Sequence, residues 1–328
     1  MYGIARALAV ACTLAHFYDL RRHEMKHRST NNFLLALTAF IWGSAFVAQS
    51  VGMDYLGPFT FNSIRCLMGG IVLIPVILLF NRRDGKMTGG QAGGNAAARS
   101  EEKKTLILGG ICCGLALAVG SSLQQIGLVY TTAGKAGFIT ALYIVIVPLM
   151  GIFLRKRIGI KVWIGVALAV VGMYFLCITE GFSIAKGDFF VLLCAIAFSV
   201  HILVIDYFAP KVDGVALSCI QFFVCGIVCA VPMLVSEHPQ ISQILAAWMP
   251  LVYAGVLSCG VAYTLQVVAQ KNTDPAVASL ILSLESVFSV LAGWVILGER
   301  LSARELFGCV LVFAAVILAQ LPEKRKAV

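Results

Sequence analysis

Charge is what this chain has least of. Only 12% of its residues are Asp, Glu, Lys or Arg, where soluble domains carry roughly 25%. A water-exposed surface is not covered at that density, so soluble enzymes, secreted disulfide scaffolds and disordered tails are excluded. No GxxxxGKS/T loop occurs, which argues against direct coupling to ATP. No CxxC pair occurs, and the one HxxxH spacing, His23 with His27, stands among Arg and Lys whose charge opposes a cation. No cofactor or metal is therefore expected. Asp54, Asp188, Asp213 and Glu237 are scattered singly, unlike the clustered acids of an integral membrane enzyme. The apolar runs show no period of two, which excludes an outer-membrane barrel.

What is there is hydrophobic: 60% of 328 residues, with mean hydropathy +0.92. At about 20 residues per crossing, an all-α integral membrane protein with ten helices is expected. The spans fall at 33–53, 58–80, 105–128, 132–154, 161–179, 187–208, 214–235, 248–270, 275–297 and 303–321. Ten of the eleven cysteines lie in these runs, where cysteine acts as a small buried hydrophobe. The break 81–104 is rich in glycine, alanine and charge, a linker composition. The segment before the first span is too short and too interrupted to cross, and its basic cluster follows its apolar stretch, unlike a signal peptide. Met25, directly before that span, is expected to be the working start.

Counting Lys and Arg orients the chain. With the amino terminus cytoplasmic, nineteen fall on the inside and three, Lys186, Arg300 and Arg304, on the outside. That is a positive-inside pattern with both termini cytoplasmic. It accounts for most of the net charge of +9 without nucleic acid.

The chain also echoes itself. At an offset of 156, Trp42 meets Phe198, Arg65 meets Gln221 and Gly70 meets Gly226. At 142, Ser122-Leu123-Gln124 meets Thr264-Leu265-Gln266, and at 143 Ala133 meets Ala276 and Arg157 meets Arg300. Five helices per copy is an odd number, so the second copy enters the membrane inverted. The expected organisation is a segment 1–31, a first repeat 32–180, a second 181–322 and a basic tail 323–328. Two inverted five-helix repeats around a midplane site are a common architecture of secondary transporters.

The stretch Phe40-Ile41-Trp42-Gly43-Ser44-Ala45-Phe46, Arg65 in the second span, the run Thr131 to Thr140, and Ser283-Leu284-Glu285-Ser286-Val287-Phe288 continuing to Leu297-Gly298-Glu299-Arg300-Leu301 together resemble the ten-helix EamA branch of the drug/metabolite transporter superfamily. The resemblance implies two five-helix repeats around a central cavity and movement of small metabolites. The expectation is efflux of an amino-acid-like or drug-like solute by alternating access in the cytoplasmic membrane, through a cavity lined by the first, third, sixth and eighth spans. An integral membrane enzyme and a non-transporting receptor or scaffold are the rival readings.

Ionisable side chains cost about 2.5 to 3.5 kcal/mol at the centre of a bilayer, so each needs a reason. Glu285, ten residues into the ninth span, suits a substrate amine or a coupling proton, or pairs structurally with Arg65 or a neighbouring hydroxyl. Arg65 suits a substrate carboxylate through its paired donors, or else snorkels to the interface. His201 titrates near neutral pH when solvated. Gln49, Gln124, Gln125, Gln221 and Gln266 supply amides for a polar cavity or for interhelical bonds. Trp42, Tyr143 and Tyr263 offer aromatic walls.

Overall fold

The computed structural model describes residues 29–83, 96–155, 158–177, 186–297 and 302–320. The Met25 start and the basic tail lie outside these residues. In chain order the helices are α1 Ser29–Met53, α2 Pro58–Arg83, α3 Ala96–Leu128, α4 Ala133–Thr140, α5 Tyr143–Phe153, α6 Ile160–Cys177, α7 Lys186–Phe208 and α8 Gly214–Pro232. There follow α9 Ile241–Ala246, α10 Trp248–Val252, α11 Thr264–Gln270, α12 Pro275–Leu282, α13 Leu284–Leu297 and α14 Ala303–Gln320. A π turn, Met233–Glu237, extends α8, and a π segment, Tyr253–Tyr263, joins α10 to α11.

Eight stretches are long and apolar enough to cross a membrane, α4 with α5 and α12 with α13 counting as one each. The other two expected spans contain shorter apolar helices, Ile160–Gly172 and Leu306–Leu318. These two shorter helices, within α6 and α14, pack against each other.

Helix starts are set by local chemistry. Thr132 Oγ1 accepts from Lys135 N at 3.3 Å, Asp213 Oδ1 from Ala216 N at 2.8 Å, and Asp274 Oδ1 from Ala276 N at 2.9 Å. Each satisfies one of the donors a helix start leaves free. Two spans read as continuous in the sequence are broken near their middles. Between α4 and α5, Leu142 N turns back to Ile139 O at 3.2 Å, a three-residue step that tightens the helix. Between α12 and α13, Ser286 N does the same to Ser283 O at 3.1 Å. No proline or glycine announces either break. In the second, the hydroxyls of Ser279, Ser283, Ser286 and Ser289 each bond to the carbonyl three residues back, at 2.7 to 2.9 Å. In lipid those hydroxyls have no water to turn to, and such back-bonding bends helices.

The first and second halves of the chain meet along α2 and α8. Ser63 Oγ donates to Gly226 O at 2.9 Å, and Cys219 Sγ donates to Gly70 O at 3.5 Å. A Cβ at Gly226 would stand 2.7 Å from Leu67 Cγ, and one at Gly70 would stand 3.0 Å from the Phe223 ring. Small residues here let the two backbones approach. α3 packs on α7 and α8, and the π segment packs on α2. α1 is held to the π segment by Thr38 Oγ1 bonding Ala262 O at 3.2 Å and by Ser44 Oγ against Tyr253 OH at 2.7 Å.

Candidate functional site

One cavity gathers side chains from both halves. Trp42 and Gln49 enter it from α1, Arg65 from α2, Gln124 from α3, and Thr140 and Tyr143 from either side of the first helix break. His201 comes from α7, Ser258 and Tyr263 from the π segment, Gln266 from α11 and Glu285 from the first turn of α13. The α2, α4–α5 and α13 walls add to the four spans anticipated from sequence.

The two ionisable groups of opposite sign do not touch in an ion pair. Arg65 is 2% exposed and Glu285 3%. Arg65 Nη1 donates to Gln49 Oε1 at 2.7 Å, and its guanidinium carbon lies 5.7 Å from the centre of the Phe61 ring. Its guanidinium is thus enclosed by protein. Glu285 Oε1 instead accepts from Tyr143 OH at 2.8 Å. Of the two structural partners expected for Glu285, Arg65 or a neighbouring hydroxyl, the carboxylate meets the hydroxyl, that of Tyr143.

Around them the polar groups are incompletely matched. Gln124 Nε2 donates to Thr140 Oγ1 at 3.2 Å, and Gln266 Nε2 to Gln270 Oε1 at 3.3 Å. The buried atoms Trp42 Nε1, Arg65 Nε and Gln266 Oε1 have no hydrogen-bond partner among the described residues. Unmatched buried polar atoms cost about 1 to 3 kcal/mol each. Aromatic rings form the remaining wall: Trp42 and Tyr263 lie 4.4 Å apart between ring centres, and His201 and Tyr263 lie 6.0 Å apart.

Of the candidates read from sequence, Gln221 is the one behind the wall. It bonds His201 Nε2 through Oε1 at 3.1 Å, and thereby positions the imidazole. Gln125 points away, donating to Met53 Sδ at 3.5 Å. Phe46, Thr140, Phe198, Ile202 and Ser258 line the cavity but were not anticipated. The helix break explains Thr140, which ends α4 beside the cavity. No signal in a single sequence separates the others from packing residues. Lys135 Nζ, in the first turn of α4, pairs with Asp188 Oδ2 at 2.7 Å. Among the described residues no group of three or more His, Cys, Asp or Glu is placed to hold a metal.

Comparison with known proteins places these features in a family. The chain is 32% identical over 288 residues to an uncharacterized transporter of Archaeoglobus fulgidus, covering 88% of this chain and 84% of that protein. It is 24% identical over 287 residues to the uncharacterized inner membrane transporter YedA of Escherichia coli strain K12, covering 85% of this chain and 87% of that one. A solved crystal structure shares the fold, with a TM-score of 0.69 at 19% identity over 89% of this chain and 96% of that one. The EamA-like transporter family matches twice, at residues 30–178 and 185–321, so this multi-pass membrane protein belongs to the EamA-like transporter family.

Proposed function

We propose that this protein is a secondary transporter that exports a small amino-acid-like solute across the cytoplasmic membrane by alternating access. The observation that carries the reading is the separation of Arg65 and Glu285 within one buried cavity, each bonded to a neutral side chain and not to the other. Arg65 offers donors to a carboxylate, and its Nε–H donor has no acceptor among the described residues. Glu285 takes either a proton or the solute's cationic group, and exchange of one for the other couples export to proton entry. The free space among these side chains is about 30 Å³, room for roughly two waters. A solute of amino-acid size therefore requires the walls to part, which is what alternating access supplies.

Two inverted five-helix repeats, ten crossings in all, support such a movement. The bonds Ser63 to Gly226 and Cys219 to Gly70 exchange into each other at the offset of 156, as do the contacts of Gly226 with Leu67 and of Gly70 with Phe223. The two helix breaks correspond at the offset of 142, with Thr132 and Asp274 as matching caps. The family's double match supports the same division. With both termini cytoplasmic, the lysine and arginine count favours α2 starting at the outer face.

A thermal-shift screen of the purified protein against amino acids, amines, nucleosides and drugs tests the substrate assignment, since a ligand bound only by the folded state raises its melting temperature. Amino acids should raise it, whereas a response confined to nucleosides would overturn the assignment.

A further inference from the structure

Four buried thiols run in a row across the contact between the two halves. Cys259 on the π segment touches Cys66 on α2, Cys66 Sγ lies 3.4 Å from Cys225 Sγ on α8, and Cys225 touches Cys229. Each is at most 1% exposed. Ser121 and Ser122 of α3 flank the row, with hydroxyls 3.8 Å from Cys225 Sγ and 3.5 Å from Cys229 Sγ. Among the described residues no group of three or more His, Cys, Asp or Glu is placed to hold a metal, so these thiols form no cage for an ion. Neighbouring thiols react in pairs.

We propose that Cys66 and Cys225 are a redox-responsive pair whose oxidation joins the two halves covalently beside the cavity. A disulfide needs its sulfurs about 2.05 Å apart, so the pair must close by a little over one ångström, a movement side-chain rotation supplies. The backbones are already close: one turn away on α2, Ser63 reaches the carbonyl of Gly226 at 2.9 Å.

With hydrogen peroxide, the Cys66 sulfur attacks one oxygen, the O–O bond breaks, and a sulfenic acid and one water result. Cys225 then attacks that sulfur and displaces its hydroxyl as a second water, leaving the S–S bond. Two thiols lose two electrons and two protons, and one peroxide becomes two waters. Because Cys66 follows Arg65 on α2, closing the bond fixes one cavity wall to the other half of the chain. The inference concerns sulfur atoms outside the cavity lining and does not depend on what the cavity carries.

The test uses the full chain in lipid nanodiscs. It is treated with hydrogen peroxide, remaining thiols are blocked with N-ethylmaleimide, and linked peptides are mapped by mass spectrometry without reduction. The Cys66 and Cys225 peptides should be the dominant linked pair, released by dithiothreitol, and oxidation should raise the melting temperature of the wild type. Cys66→Ser and Cys225→Ser should each lose that rise, and Cys259→Ser should keep it. A dominant link from Cys66 to Cys259 or from Cys225 to Cys229 would overturn the proposal. So would the absence of any link in the folded chain at a peroxide concentration that fully oxidises the chain unfolded in SDS.

Discussion

Tyr143 and Glu285 stand 142 positions apart in the chain, and the phenol donates to the carboxylate across 2.8 Å. Each sits in the first turn after a helix break, Tyr143 opening α5 and Glu285 the second residue of α13. The offset that relates the breaks also relates these two residues. A polar residue of one half thus meets its counterpart of the other, and the bond lies where the halves face each other.

Removing the carboxylate's charge should remove coupling. Glu285→Gln keeps the size of the side chain but binds no exchangeable proton at neutral pH. Solute flux into proteoliposomes should then respond no further to an imposed pH gradient, and its rate should fall by at least about tenfold. Full, gradient-dependent flux in this variant would remove Glu285 from the mechanism.

Tyr143→Phe deletes the donor and leaves the carboxylate oxygen unmatched in a buried site. Leaving a buried acceptor unsatisfied costs about 1 to 3 kcal/mol, so thermal unfolding should shift downward by a corresponding amount. A melting curve indistinguishable from wild type would show that the bond does not form in the membrane.

Arg65→Lys keeps the charge and loses the planar fork that reaches Gln49. Solute affinity should weaken by about tenfold to a hundredfold, roughly 1.4 to 2.8 kcal/mol, read as the solute concentration that produces half the maximal thermal shift. Unchanged affinity would place the solute's anionic group elsewhere.

The contact between α2 and α8 gives an ordered pair of outcomes. Gly226→Ala places a methyl 2.7 Å from Leu67 Cγ, whereas Gly70→Ala meets the edge of the Phe223 ring at 3.0 Å. Overpacking costs about 1 to 3 kcal/mol, and the ring has more room to turn aside. Gly226→Ala should therefore lower the melting temperature more than Gly70→Ala, and the reverse order would contradict this packing.

How much of this was legible beforehand depended on how rare each residue is in a membrane. Arg65 and Glu285 stood out because an ionisable group inside an apolar run has few ordinary explanations. Their partners did not. Whether Glu285 faced Arg65 or Tyr143 is decided by where α5 and α13 turn after their breaks, and those breaks come from serine back-bonding and tight local steps with no proline or glycine to mark them. Thr140 and Ser258 were missed because small hydroxyls satisfy themselves within membrane helices as often as they face a cavity. Gln221 was as polar as Gln266, yet one holds His201 from behind and the other lines the cavity. The π segment that aims Ser258 and Tyr263 inward has no composition of its own. Cysteine looked like packing, and the pairing of Cys66 with Cys225 needed the crossing of α2 and α8.

Exchange of a solute for a proton at Glu285 within one cavity is read by measuring both fluxes at once. Purified wild-type protein and Glu285→Gln are placed in liposomes with a pH-sensitive dye inside, and labelled amino acid and proton movements are followed together. The account predicts that solute and protons move in opposite directions at a fixed ratio in the wild type, and that the variant moves no protons. Solute movement in the wild type with no accompanying proton movement would contradict it.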